Sequence, residues 1–285
     1  MIFLLRCNYK QWFLNYVNKY GDEPEIRLKR DHSLRVANNM SVLFTDLSLP
    51  QDYISLADFI GLYHDIGRFE QWKTYHTFYD SVSVDHADYS ADNLLSGGIL
   101  NKIGFNKSYY DLIYKVIKYH NKLDIPDKLK IKEENMFINT PDLLQTLTNK
   151  ELDKYNYDSL ISLYALSIRD IDKIDILFQY ILSNYFIKTD YLPVTDKVAC
   201  DFFDNKSIDK NIRKNLNDTV VLRLSFINDI NLTQSLELIK NSQILDEIYT
   251  LYPDKNNLID FFKYAKSRLN WLIDANKNYQ YVLKK

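Results

Sequence analysis

The stretch YYDLIYKVIKYH, residues 109–120, decides the fold class. Tyr109, Leu112, Ile113, Val116 and Ile117 recur at steps of three and four, the period of one face of an α-helix. The same step carries on to His120, which places a histidine on the face the helix would bury. Working outward, the pattern repeats. Asp31 reads as an N-cap, predicting a helix over residues 31–44 with His32, Val36, Met40 and Leu43 on one face. Residues 51–64 predict a second helix, with Tyr53, Ala57, Ile60 and His64 aligned. Residues 158–186 predict a long one, with Ile161, Ala165, Ile168 and Asp172 aligned. Each of these helices carries a His or Asp on its apolar face, which lets separate helices bring polar groups to one interior point.

Between them, residues 68–84 read as an aromatic, irregular loop. Residues 121–139 read as a polar excursion, and Thr140-Pro141 as an N-cap and first helical position. Tyr191-Leu192-Pro193 breaks the long helix. Three further helices are expected over residues 206–229, 233–250 and 254–275, a portion without histidine. The chain has only 6 Gly and 6 Pro among 285 residues, too few for the turns an all-β fold needs. The expectation is all-α: a helical domain over residues 1–187 and a C-terminal helical extension over 188–285.

Composition excludes several classes. Apolar residues make up 46%, enough for a sizeable core, and the formal net charge is −2 with both signs interspersed. No basic stripe exists to neutralise a nucleic-acid backbone, so an extended nucleic-acid surface is not expected. Cys7 and Cys200 lie far apart, in no disulfide or thiolate-zinc spacing. The apolar start, residues 1–5, is stopped by Arg6 and is too short for a signal peptide. No run approaches the roughly 20 apolar residues of a membrane span. A cytoplasmic setting without membrane is therefore expected. No phosphate-binding loop, dinucleotide fingerprint or nucleophile elbow is present.

All 5 histidines fall between positions 32 and 120. The strongest local signal is His64-Asp65, followed by Ile66-Gly67-Arg68; both side chains would reach one ion if the helix unwinds there, a turn that Gly67 would permit. A single inward histidine is usually a hydrogen-bonded core residue. The set His32, His64-Asp65, His86, His120 and Asp172 is different. Burying each without a partner costs about 1–3 kcal/mol, and a shared divalent ion relieves all of them together. His76 lies in the aromatic segment 72–79, where a substrate-facing role competes with that of a surface histidine, and nucleobase stacking competes with ordinary packing.

The ordered pattern H, HD, H, H, D on helices resembles the HD-domain superfamily of metal-dependent phosphohydrolases. The matching pieces are HSLRVA (32–37), GLYHDIGRFEQ (61–71), DHADYSADNLL (85–95), VIKYHNK (116–122) and RDIDKID (169–175). The resemblance implies an HD-domain helical bundle with core ligands His32, His64, Asp65 and Asp172. His86 and His120 match the extra ligands of members holding two metals bridged by the HD aspartate. Asp170 and Asp175 fit supporting roles. The implied cofactors are two divalent ions, of Mn, Fe, Ni, Mg or Zn. The implied activity is a phosphohydrolase or phosphodiesterase acting on a small phosphorylated metabolite, a nucleotide above all, through a metal-activated hydroxide positioned by Asp65. Arg68 would contact substrate phosphate, and Lys173 would either add charge near the leaving group or pair with a neighbouring aspartate. The alternatives are a di-iron oxygenase of HD type and a non-catalytic nucleotide-binding sensor. Oligomeric state has no signature in the sequence.

Overall fold

Pro24 starts the helix that carries the first candidate ligand: its fixed φ and missing N–H suit a first helical position. The computed structural model describes residues 8–122, 126, 154–182, 191–206 and 208–283. Among them it consists of helices joined by turns and short connections, without strands, as an all-α HD-type bundle requires. No helix among the described residues is long and apolar enough to cross a membrane. The elements in order are α1 (Tyr9–Val17), α2 (Pro24–Asp46), α3 (Gln51–Tyr63), α4 (Gly67–Tyr75), α5 (His86–Leu95), α6 (Ile99–Ile103), α7 (Tyr110–Tyr119), α8 (Lys154–Leu182), α9 (Asp196–Phe203), α10 (Leu216–Leu224), α11 (Thr233–Asn241), α12 (Ile244–Leu251) and α13 (Lys255–Leu283). Two compact units emerge, Met1–Ile171 and Asp172–Lys285, and the boundary falls inside α8.

In the first unit α2 packs on α3. The crossing is tight at Gly61, where a Cβ would sit 2.7 Å from the Ala37 Cα, so only glycine lets the two backbones approach this closely. Val36, Met40, Leu56, Ala57 and Ile60 fill the seam and are fully buried. α5 lies between α4 and α7. The early part of α8 joins this core: the Tyr164 ring stacks on Phe44 at 4.8 Å, and its hydroxyl donates to the Tyr53 carbonyl at 2.9 Å. Arg169 donates to the Tyr119 carbonyl at 3.0 Å and to that of Lys122, which fixes the chain just after His120. The second unit buries Val221, Leu236, Ile248, Leu258 and Ile273 around a polar knot at Asn217.

Several sequence expectations change. α2 begins seven residues before Asp31, so His32 is mid-helix, and Asp31 pairs with Arg30 at 2.8 Å rather than capping. Residues 68–84 are not a loop throughout. α4 occupies the first part, ending where His76 adopts the left-handed conformation at φ 51°, and a 3-10 turn follows at Asp80–Val82. Only Gly67, Phe69 and Gln71 of α4 are buried, so no apolar stripe announced it. Gly67 does not serve a turn of unusual φ. It is helical, and its Cβ would lie 2.9 Å from Ser90 N and 3.0 Å from Ser90 Oγ, so it is there for close approach to α5. The helix expected over 206–229 is α10 alone, capped by Asn215 and followed by a 3-10 turn. The one expected over 233–250 is broken at Gln243, φ 53°. The last helix extends to Leu283, and α9 was not foreseen. Residues 127–139, Thr140-Pro141 and the expected boundary at 187/188 lie outside the described residues.

Candidate metal centre

Helix ends deliver three of the candidate ligands. His64 is the C-cap of α3, His86 the first residue of α5 and His120 the C-cap of α7. At the two C-caps backbone carbonyls lie open for the imidazole Nδ1 atoms. His64 Nδ1 stands 2.8 Å from the Gly61 carbonyl, and His120 Nδ1 2.6 Å from the Ile117 carbonyl. α5 is started by Asp85, whose carboxylate accepts from Ala87 N at 3.0 Å and Asp88 N at 3.1 Å. This turn swings His86 inward, with Nδ1 2.7 Å from Asp80 Oδ2. Carbonyls and carboxylates only accept, so each Nδ1 carries the proton and donates. In the neutral ring each Nε2 is then a lone pair facing the centre.

Those Nε2 atoms form two pairs. His32 and His64 are 3.2 Å apart, and so are His86 and His120. Asp65 stands between them. Its Oδ2 is 3.6 Å from His32 Nε2 and 3.7 Å from His64 Nε2; its Oδ1 is 3.5 Å from His86 Nε2 and 3.7 Å from His120 Nε2. The five side chains are buried. Two ligand nitrogens about 2.1 Å from one ion subtend about 100° when 3.2 Å apart, a normal coordination angle. Asp65 Oδ1 is buried and has no hydrogen-bond partner. A buried carboxylate oxygen without a donor costs 1–3 kcal/mol or more, which a cation offsets. The donor set therefore fits divalent metal, with one carboxylate oxygen turned to each histidine pair.

Asp172, on α8, offers an oxygen within 4.8 Å of ligand atoms of His32 and His64. His64, Asp65 and His120 form a second group within that distance.

Burial by itself would raise the Asp65 carboxyl. The positive charges of Lys29, first, and Arg68 outweigh it and hold the group well below the usual carboxylate range. His86 is pushed down to about 4, by burial first and then by the Arg68 charge, against the pull of Asp80 and Asp65. It is neutral at pH 7 and competent as a ligand.

The other candidate residues are placed as follows. Arg68 Nη1 donates to Gln71 Oε1 at 2.8 Å, the Phe78 carbonyl at 2.8 Å and Asp80 Oδ1 at 2.9 Å, while its Nε lies 3.6 Å from Asp65 Oδ1. It borders the centre and ties α4 to the following turn. Lys173 pairs with Asp229 Oδ2 at 2.9 Å, a partner distant in sequence rather than a neighbouring aspartate. His76 is exposed at the end of α4, with its ring against Trp72. Asp170 and Asp175 are buried.

Three contributors were not singled out from sequence. Lys29 Nζ donates to Asp65 Oδ2 at 2.8 Å. Its signal was available, three residues before His32 on the same helix face. Asp80 serves His86 and Arg68 together, and Asn121 Nδ2 reaches Asp85 Oδ1 at 3.1 Å. Asp80 had no signal, because a turn rather than a helix period carries it.

A search of curated proteins and one of solved structures give no match. The family model of the HD domain matches residues 30–177, which is more than half of the chain and spans every candidate ligand. With that match on top of the converging ligands, the chain belongs to the HD domain family, whose members are in general metal-dependent hydrolases.

Proposed function

We propose that the protein is a metal-dependent phosphohydrolase or phosphodiesterase acting on a small phosphorylated substrate, a nucleotide above all. The observation that carries the reading is Asp65, which turns one oxygen to each of two histidine pairs with Nε2 atoms 3.2 Å apart. His32, His64 and Asp172 would hold one divalent ion, His86 and His120 a second, with Asp65 shared. When bound, such ions polarise phosphoryl oxygens and lower the pKa of water toward neutrality.

The protein's own residues supply the rest. Gly61, Ile117 and Asp80 hold three imidazoles in the tautomer that turns Nε2 inward. Burial keeps bulk water from competing for these groups. Lys29 and Arg68 flank Asp65 with positive charge, which favours a phosphorylated substrate over a neutral one. This pair of cations also weighs for the hydrolytic reading over an O₂-dependent one.

The test is phosphate release from nucleotides, cyclic nucleotides and nitrophenyl phosphates by full-length protein loaded with Mn²⁺, Fe²⁺, Ni²⁺, Zn²⁺ or Mg²⁺. Turnover that vanishes in Asp65→Ala is the expected result. Absence of release from every substrate with every ion overturns the proposal, and O₂ uptake by the iron-loaded protein would replace it with the oxygenase reading. Nucleotide binding without turnover, unaffected by Asp65→Ala, would replace it with the sensor reading.

A further inference from the structure

Three consecutive residues after α7 hold the start of α5. His120 Nε2 stands 3.2 Å from His86 Nε2. Asn121 Nδ2 stands 3.3 Å from the other ring nitrogen, His86 Nδ1, and donates to Asp85 Oδ1 at 3.1 Å. Lys122 Nζ pairs with Asp85 Oδ2 at 2.6 Å and Asp88 Oδ2 at 3.0 Å. Neighbours in sequence thus bracket the His86 imidazole at both of its nitrogens. Their backbone is turn and bend, so no helix geometry sets it. Arg169 sets it instead. This side chain is 6% exposed, and its guanidinium donates to the Tyr119 carbonyl at 3.0 Å and to the Lys122 carbonyl, on either side of His120 and Asn121.

We propose that Arg169 is a positioning residue for the His86–His120 pair. It would touch neither metal nor substrate. It grips the turn from behind, and the turn presents His120 and Asn121 to the two edges of His86. This rests on the two-ion reading of the cluster. The two carbonyls lie at and past the end of α7, where the helix supplies no donor, and the negative end of its dipole favours a cation. Two carbonyls converging on one side chain suit a planar fork, which a guanidinium has and an ammonium lacks. Without that fork both lose a donor, and His120 and Asn121 move together because one turn carries both. The His32–His64–Asp172 group takes no ligand from this turn, so the effect should be confined to one ion.

Calorimetric titration of the chelator-stripped full chain with Mn²⁺ or Zn²⁺ tests this. Wild type should bind two ions, and His120→Ala identifies which step belongs to the His86–His120 pair. Arg169→Met should weaken that step about 10–100-fold and leave the other within about twofold. Arg169→Lys should recover part of the loss, since an ammonium can serve one carbonyl. Should Arg169→Met fail to fold, Arg169→Lys and Asn121→Ala carry the test. Each should weaken the same step, and the double variant should lose less than the product of the two losses, because both act through one turn. Folded Arg169 variants that weaken both steps alike, or neither, overturn the proposal, as do losses that multiply in the double variant; the two-ion centre then stands. One ion or none bound by wild type overturns the two-ion centre and the proposal with it.

Discussion

Asp80 shows how much of the centre depends on residues that would touch no metal. One oxygen takes the Nδ1 proton of His86 at 2.7 Å, and the other holds Arg68 at 2.9 Å and Gln71 at 3.1 Å. Burial opposes its ionisation, but the hydrogen bond from His86 and the charge of Arg68 prevail and hold its carboxyl below the usual range. Asp80→Ala removes the acceptor, so the His86 ring is free to turn its lone pair away from Asp65. Metal affinity should fall about 10–100-fold, with helicity by circular dichroism unchanged. Asp80→Asn keeps an oxygen for Nδ1–H while losing the charge that faces Arg68, and should recover part of the loss. Equal affinities for wild type and Asp80→Ala would remove Asp80 from the machinery. Five of the six candidate ligands stand out in the sequence because His32, His64, His120 and Asp172 are polar residues on apolar faces and Asp65 adjoins one, while His86 is pointed to by the family pattern alone. Asp80 cannot be read that way, because it sits on a turn; Lys29, three residues before His32 on α2, carries the same spacing signal but reaches inward with a long side chain from the margin of the stripe.

At the scale of helices, the centre depends on how closely α2 and α3 cross. A methyl at Gly61 would lie 2.7 Å from the Ala37 Cα and 2.9 Å from its N, and backbone cannot yield as a side-chain tip can. Gly61→Ala should cost about 1–3 kcal/mol and lower Tm. It should also weaken metal binding, since spreading the helices separates His32 from His64, and the Gly61 carbonyl is itself the acceptor for His64 Nδ1. A variant with lower Tm but undiminished metal affinity would show that the crossing sets stability and not the centre. Helices α3 and α7 were legible to within a residue or two of their ends, because their apolar stripes are broad. α4 was not, because it is held by polar ties: Gln71 Nε2 to the Val84 carbonyl at 3.0 Å and to Ser83 Oγ at 2.8 Å, and Arg68 to the Phe78 carbonyl at 2.8 Å. Bonds of that kind leave no period in a sequence.

Across the whole molecule, the scarcity of glycine and proline and the three-to-four period were enough for the fold class. They did not reveal where the second unit breaks its helices, since Asn215 and Gln243 do this through a cap and a positive φ. That unit contains its own test of acid sensitivity. Asp254 is 5% exposed and accepts from Asn217 Nδ2 at 2.8 Å and Asn257 Nδ2 at 2.8 Å, while Tyr252 donates to Asn217 Oδ1 at 2.7 Å. Burial pushes the Asp254 carboxyl up, but the hydrogen bonds from Asn257 and Asn217 outweigh it and leave it below its ordinary value. A carboxyl lowered by folding contributes stability above its unfolded value, about 3.9, and loses that contribution as pH falls through the folded value. Asp254→Asn turns an amide N–H or a weaker acceptor toward two amides that now meet a carboxylate. It should reduce stability by about 1 kcal/mol at pH 7 in urea unfolding. The deficit should persist at pH 5 and shrink below pH 4, as first the unfolded and then the folded carboxyl takes up a proton and wild type gives up the same advantage. A deficit of equal size at pH 3 and pH 7 would mean that shape, and not the carboxylate charge, is what the knot around Asn217 requires.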